Sequence, residues 1–233
     1  MPSKKVSFVI PYFNCHWVTH AIESAQKQTY PLIEIVVVDD GSTDLTHYGV
    51  EKMAANDTRI SWVRLPKNVG RSEARNIGNG VATGDLICVL DADDLAYPER
   101  AALTVKALSN ADFVHGSCDY IDAIGTKLGT HYADVFNKSK AIKEGVNRMV
   151  HSTCGYRKEF ALSNPYLGGD AAKLGLDDWC LQLSAAFSGA KMEHISTVIG
   201  AYRDIETGVS KTRDHAEVVK FKEDFIKKLE VSV

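Results

Sequence analysis

The sequence predicts an α/β protein with a mostly parallel central sheet flanked by helices and a smaller mixed C-terminal part. Three observations predict it. Short apolar runs alternate with segments of helical periodicity through residues 1–100. The runs are continuous rather than alternating, as in "IEIVVVDD", which suits strands covered on both faces. Three of them close on polar clusters, at Pro11 to Asn14, at Asp39-Asp40-Gly41-Ser42 and at Asp91-Ala92-Asp93-Asp94. Open α/β sheets hold their ligands at such carboxyl ends.

"KVSFVIP" reads as the first strand, and "HWVTHAIESAQKQ" as a helix, with Trp17, Val18, Ala21, Ile22 and Ala25 on one face. "IEIVVVDD" is the second strand, and Ser42 or Thr43 is a candidate cap for a helix running to about Asn56. "ISWVRL" is the third strand, "RSEARNIGNGVA" a helix in spite of its glycines, and "DLICVL" the fourth strand. This alternation implies right-handed βαβ units. Beyond Pro98 the pattern changes to a helix up to about Leu108, a strand "DFVHGS" and a polar surface excursion over 122–150. From Cys154 the sequence suggests short strands, then a helix around "DDWCLQLSAAF", two strands in "KMEHISTVIGAYR" and a charged helix from Asp214 to Leu229.

With 233 residues, 45% of them hydrophobic, the chain is long enough for one large domain or two small lobes sharing a core. A net charge of −3 without long basic blocks gives no reason to expect nucleic acid as a partner. No stretch approaches the ~20 apolar residues of a membrane span. The apolar run in "MPSKKVSFVIPYFN" is too short for a signal sequence. Five cysteines, odd in number and without a C-x-x-C pair, argue against a disulfide framework or a zinc site and fit a reducing cytosol.

The acids carry the functional signal. Carboxylates brought close repel, and a divalent cation relieves this better than protonation at neutral pH. Oxygen-only ligands suit magnesium or manganese, which also bridge to phosphates. Simpler roles compete: Asp39-Asp40-Gly41-Ser42 as a turn and helix cap, and Asp94 as a cap for the helix near Pro98. A phosphorelay receiver also pairs acids around magnesium, but its acid pair follows the first strand and its length is about half of this chain.

Taken in order, "VSFVIPYFN", "IEIVVVDDGSTD", "NVGRSEARNIG" with "ATGDLICVLDADD", and "GLDDW" resemble the inverting glycosyltransferases of family 2, which have the GT-A fold. The resemblance covers nearly the whole chain and is strongest over 6–100. It implies one GT-A domain over 1–233, with a nucleotide-sugar-binding half at 1–100 and an acceptor-binding half at 101–233. It also implies metal-dependent transfer of one sugar from a nucleotide-diphosphate donor, a UDP-sugar, to a hydroxyl of a glycan, a lipid-linked molecule or another acceptor. Mn2+ or Mg2+ is the implied cofactor.

The implied roles fall on matching positions. Pro11 and Phe13 line the base pocket, Asp40 hydrogen-bonds the base, and Asp39 supports that pocket. Arg75 lies beside the nucleotide. In Asp91-Ala92-Asp93, the family's D-x-D motif, Asp91 faces ribose or sugar and Asp93 the metal, with Asp94 adjacent. Asp178 of "GLDDW" is the base and Asp177 its neighbour. Against these stand a core aromatic for Phe13, a surface arginine for Arg75, and acids complementing a helix N-terminus for Asp177 and Asp178.

The chain also departs from the family pattern. Asp177 stands where a glutamate is common. Tyr202, Arg203 and Ser210 fit a further motif, but the histidine expected between them is missing and His215 comes later. The Q-x-x-R-W signature of processive synthases is absent, so a single addition is expected. The expected location is the cytoplasm, with a peripheral place at the inner face of a membrane required if the acceptor is lipid-linked. A sugar nucleotidyltransferase, or a sugar-nucleotide-binding module without catalysis, is the alternative. The former needs a glycine-rich basic loop after the first strand, which "PYFNCHW" is not.

Overall fold

The computed structural model describes residues 4–144, 149–205 and 214–231. Four parallel strands form its first half: β1 (Val6–Tyr12), β2 (Ile33–Asp39), β3 (Ile60–Arg64) and β4 (Leu86–Val89), in the order β3-β2-β1-β4. Helices α1 (Val18–Gln26), α2 (Thr46–Asn56) and α3 (Arg71–Val81) connect them. Every residue of β1 and β2 is buried, as their unbroken apolar runs require. Pro11 is tolerated inside a central strand because β4 pairs with β1 only as far as Val9. Val6 and Tyr12 bond to the β2 side, so Pro11 turns its nitrogen the other way, past the last paired residue.

Alternate strand residues feed two apolar layers. Phe8, Ile10, Ile35 and Val37 pack with Val18, Ala21, Ile22 and Ala25 of α1. On the other layer Val9, Val36, Val38 and Val89 pack with Ala74 of α3 and with Leu181 and Ala185 of a later helix. The glycines of α3 have a packing reason. A Cβ on Gly78 would lie 2.5 Å from Val9 Cγ1 and 3.2 Å from Val38 Cγ2, so the helix sits closer to the sheet than alanine allows.

The second half turns the sheet mixed. It comprises β5 (Leu95–Ala96), α4 (Arg100–Ala107), β6 (Phe113–Ile121), β7 (Lys127–His131), α5 (Lys138–Glu144), a 3-10 turn at His151–Thr153 and β8 (Gly155–Arg157). After these come α6 (Lys158–Ser163), α7 (Asp170–Lys173), α8 (Asp177–Phe187), β9 (Met192–Arg203) and α9 (His215–Val231). The sheet continues β4-β8-β6-β9-β5, with β7 on the β8 side of β6. Antiparallel β8 joins the halves, and β9 runs parallel to β6. A third apolar cluster, including Ala141, Ala171, Trp179, Leu183, Val218 and Phe225, gathers α5, α7, α8 and α9.

Several expectations need correction. Neither Ser42 nor Thr43 caps α2: Ser42 Oγ accepts the Asn14 amide at 3.0 Å, and the helix begins at Thr46, whose amide donates to Asp44 at 3.1 Å. Asp94 is no helix cap either, since its Oδ1 accepts the Arg203 amide at 2.7 Å. The stretch 192–203 is one strand whose register against β6 shifts twice, rather than two strands. Beyond β8, helices of six and four residues replace the expected short strands; they are too short for periodicity to declare them. The excursion over 122–150 contains β7 and α5.

One buried carboxylate ties the amino-terminal edges of three strands. Glu34, 5% exposed, accepts from Lys5 Nζ at 2.9 Å, from the Gly84 amide at 3.0 Å, from Ser7 Oγ and from Thr83. Burial favours the neutral acid, but the bonds from Ser7, Thr83 and Lys5 outweigh it and lower the pKa from 4.5 to about 2. The ionised form is therefore the stabilising one. Its contribution, about 3 kcal/mol, is full above pH 5 and disappears as the pH falls towards 2. Glu34→Gln should lower stability by about that amount at pH 7 and by little near pH 2, as urea denaturation at the two pH values will show.

Candidate active site

The first two polar clusters meet at the ends of β1 and β2. Asn14, with φ of 48°, aims its Oδ1 at the amides of Thr43 and Asp44, at 2.8 and 3.2 Å. Phe13 follows β1 and is 44% exposed, so it is not a core aromatic. Asp39 is fully buried: its Oδ1 accepts the Ser42 amide at 2.7 Å, and Arg64 Nε lies 3.3 Å from Oδ2. Asp40 accepts the amides of Val69 and Gly70 at 2.7 and 2.9 Å, which fixes the loop entering α3. Burial raises its carboxyl above the ordinary range, against the pull of those two amides.

Arg75 is the centre of the site. The guanidinium, 7% exposed, donates from Nη1 to Asp177 Oδ2 at 2.6 Å and from Nη2 to Asp91 Oδ1 at 2.7 Å. It is no surface arginine. Arg71, one turn earlier on α3, places Nη2 2.7 Å from Asp177 Oδ1, and Ser72 Oγ donates to Oδ2 at 3.2 Å. Burial works against the charge on Arg75, but Asp91 and Asp177 outweigh it and its pKa rises. Asp91 is held down at about 2, because Arg75, His151 and Arg71 overcome its own burial.

Among the described residues neither neighbouring acid forms an ion pair of this kind. Burial, and then the negative charge of Asp91, push Asp93 up to about 6. Asp94 is 1% exposed, its Oδ2 is unpartnered, and burial with the charges of Asp93 and Asp91 raises its pKa far above the usual range. The loop backbone is pinned instead. Ser152 Oγ accepts the Asp91 amide at 2.7 Å, and Arg203 Nε donates to the Asp93 carbonyl at 2.8 Å. The Arg203 guanidinium also reaches the carbonyls of Asp122 and Ala123 and lies 5.2 Å from the Trp17 ring.

Both acids of "GLDDW" stand in the first turn of α8, with different surroundings. Asp177 is 1% exposed and bound by the two arginines. Asp178 is half-buried and its Oδ1 accepts the Trp179 amide at 2.7 Å. Among the described residues nothing donates to its second oxygen. Behind Arg75, Tyr166 packs 5.4 Å away and links His151 to Tyr156 through hydrogen bonds of 3.0 and 2.9 Å.

A divalent metal fits this donor set in one way. Among the described residues no group of three or more histidine, cysteine or acidic side chains is arranged to hold an ion by itself. Asp93 offers a half-buried carboxylate beside two others, short of positive charge, as magnesium or manganese sites built from one or two protein carboxylates, water and phosphate require. His215 is exposed at the start of α9, and Ser210 lies outside the described residues.

The site is thus an open α/β sheet whose strand ends carry a clamped acid, with further acids beside it and a second acidic turn on α8. Residues 7–162 match the sequence profile described as "Glycosyl transferase family 2", and the chain belongs to that family. An uncharacterized glycosyltransferase of Rickettsia felis is 37% identical over 117 residues, covering 50% of this chain but 19% of that protein. The matched half of this chain thus spans about a fifth of the length of that relative. The structure of S. aureus TarS 1-349 in complex with UDP-GlcNAc superposes with a TM-score of 0.68 at 20% identity, covering 95% of this chain and 66% of that one. The mannosyltransferase PcManGT from Pyrobaculum calidifontis, in complex with GDP-Man and Mn2+, gives 0.67 at 19% identity over 88% of this chain and 59% of that one. The fold is the GT-A fold of these glycosyltransferases.

Sequence reasoning missed Arg71, Ser152 and the His151–Tyr166 pair. Arg71 was open to discovery, because it precedes Arg75 by four residues on one helix and shares its face. Nothing local marks the other three. The crowded acids generate a prediction of their own. Asp93→Asn removes one of three neighbouring carboxylates and should raise the melting temperature of the metal-free protein at pH 7.5 by about 3–5 °C in differential scanning calorimetry. A lower melting temperature would mean that Asp93 is already compensated.

Proposed function

We propose that the chain is a metal-dependent, inverting, non-processive glycosyltransferase that moves one sugar from a UDP-sugar to an acceptor hydroxyl. The observation that carries this reading is the Asp91–Arg75–Asp177 bridge, which holds the donor-side acid loop and the acidic turn of α8 in one rigid unit. Support comes also from UDP-GlcNAc in one structural relative and from Mn2+ in another. Residues 1–100 would bind the donor and 101–233 the acceptor. Among the described residues no helix is long and apolar enough to cross a membrane, and a cytoplasmic enzyme is the accompanying reading.

In this reading Pro11, Phe13, Asp39 and Asp40 form the base pocket, with Phe13 stacking on uracil. Ala92 keeps the loop between Asp91 and Asp93 compact beside the ribose and sugar. Asp93 would hold Mn2+ or Mg2+, which would supply positive charge to the diphosphate leaving group. Asp178 takes the proton of the acceptor hydroxyl as that oxygen bonds to the anomeric carbon and the bond to diphosphate breaks on the opposite face. Asp177 does not compete for this role. Two arginines engage both of its oxygens and turn it inward, and so fix the first turn of α8 that presents Asp178.

Three variants separate the roles. Asp178→Asn should bind UDP-sugar and Mn2+ as the wild type does and lose turnover by roughly 10²–10⁴-fold, measured as donor hydrolysis until an acceptor is known. Near-normal turnover would remove Asp178 from catalysis. Phe13→Ala should raise the donor KM by about tenfold or more at nearly constant kcat, the effect of losing a stacking contact. Asp93→Ala should abolish the Mn2+ dependence of UDP binding in calorimetry, and undiminished dependence would locate the metal elsewhere.

A further inference from the structure

Outside the bridge and the base pocket, a group of aromatic side chains gathers where β7, β6 and β9 run side by side. Tyr120 of β6 and Tyr202 of β9 are direct neighbours in the sheet, and their rings meet edge to face at 5.6 Å and 83°. His131 of β7 meets Tyr120 edge to face from the other side, at 6.4 Å and 75°. All three rings are half-buried. Among the described residues neither tyrosine hydroxyl makes a hydrogen bond. Opposite Tyr120 in the pairing of β6 with β7 stands Gly129, and a Cβ there would meet nothing within 4 Å. The rings therefore border a shelf whose floor is bare backbone.

The shelf adjoins the donor site. Arg203, the next residue after Tyr202, bonds through its amide to Asp94 and through Nε to the Asp93 carbonyl. Its side chain leaves toward Trp17, so Tyr202 projects from the opposite face of β9. Burial, followed by the charges of Asp94, Asp93 and Asp91, raises the Tyr202 phenol, which stays protonated as a donor.

We propose that Tyr120, Tyr202 and His131, over the open floor at Gly129, bind a sugar ring of the acceptor, so that the acceptor is a saccharide. The inference rests on the glycosyltransferase reading and specifies its second substrate. A pyranose presents C–H bonds on its faces and hydroxyls at its rim. An aromatic body with a polar tip matches both. A lipid chain would need a continuous aliphatic wall, which two phenols, an imidazole and exposed backbone do not make. The negative potential of the nearby acids disfavours a phosphate on this shelf and leaves a neutral polyol unaffected.

The test is saturation-transfer NMR with methyl pyranosides of glucose, galactose, mannose and N-acetylglucosamine, in the presence of UDP and Mn2+. At least one should receive saturation on its ring C–H protons. Tyr202→Ala should weaken that binding by about tenfold, the scale of one lost aromatic contact. Gly129→Val, which keeps both tyrosines and fills the floor, should do the same, with UDP affinity in calorimetry unchanged in both variants. Binding of none of the four sugars, or binding that survives both substitutions, overturns the proposal. So does decyl phosphate occupying the shelf in their place, read as broadening of the Tyr120 and Tyr202 ring signals. The donor reading fails separately, by absence of UDP binding to the wild type, and the sugar titration without UDP then decides the shelf on its own.

Discussion

The ion bridge through Arg75 is the constraint on which the rest of the site depends. A guanidinium taken out of water is costly unless its donors are met, and here two buried or partly buried carboxylates meet them. Its planar fork reaches Asp91 and Asp177 from separate nitrogens at 2.7 and 2.6 Å, a geometry that a lysine ammonium could not hold as rigidly. The three partners come from α3, from the loop after β4 and from the first turn of α8. Asp91 and Asp177 are 86 positions apart in sequence. One side chain thereby sets the spacing between the acid loop after β4 and the turn that carries Asp178.

That bridge also explains the unequal fates of the acids around it. Asp91 and Asp177 are neutralised by arginines from one helix face. Asp93 and Asp94 are left with pinned backbones and little positive charge. Beneath them lies Arg100, 1% exposed, which donates from Nη2 to the carbonyls of Val89 and Cys154 and packs 5.7 Å from the Phe8 ring. Burial lowers its pKa, while Asp94 and Asp91 are among the groups that oppose that fall. The site is thus built with partial compensation from below and an unmet demand for positive charge above, on the side where a metal and a diphosphate would arrive together.

The N-terminal half was legible in the sequence because its physical signals are local. Continuous apolar runs gave β1 to β4 within a residue or two, and the polar clusters at their ends became the walls of the site. Asp91 and Asp93 stood out as acids next to an apolar stretch and Asp177 and Asp178 only through the family resemblance, and the structure brings Asp91 and Asp177 onto one arginine. What stayed hidden was partnership at long range. The Ser152 hydroxyl and the Asp91 amide are 61 positions apart, and neither residue type announces the other. The capping role expected of Ser42 failed for the same reason. Its hydroxyl went to Asn14, 28 residues earlier, because the two loops at the ends of adjacent strands need joining more than α2 needs a cap. The short helices α6 and α7 and the shifted register of β9 escaped because six residues hold no period and a bulge resets one.

The same distinction separates the acid loop from the aromatic shelf. Acids close to strand ends can be read because their burial demands a partner of known charge, whereas half-buried tyrosines in mixed strands have many ordinary explanations. Only the register of β6 with β7 and β9 puts Tyr120, Tyr202 and Gly129 together, and that register depends on the two shifts along β9. Without them Tyr202 would not stand beside Tyr120, and its ring would turn to the other face of the sheet. The irregularity that defeats prediction in this strand is therefore also what builds the shelf. It turns Tyr202 into the site while Arg203, one residue on, reaches back to hold the acid loop. A single strand end thus presents an aromatic wall with one side chain and pins the acid loop with the next.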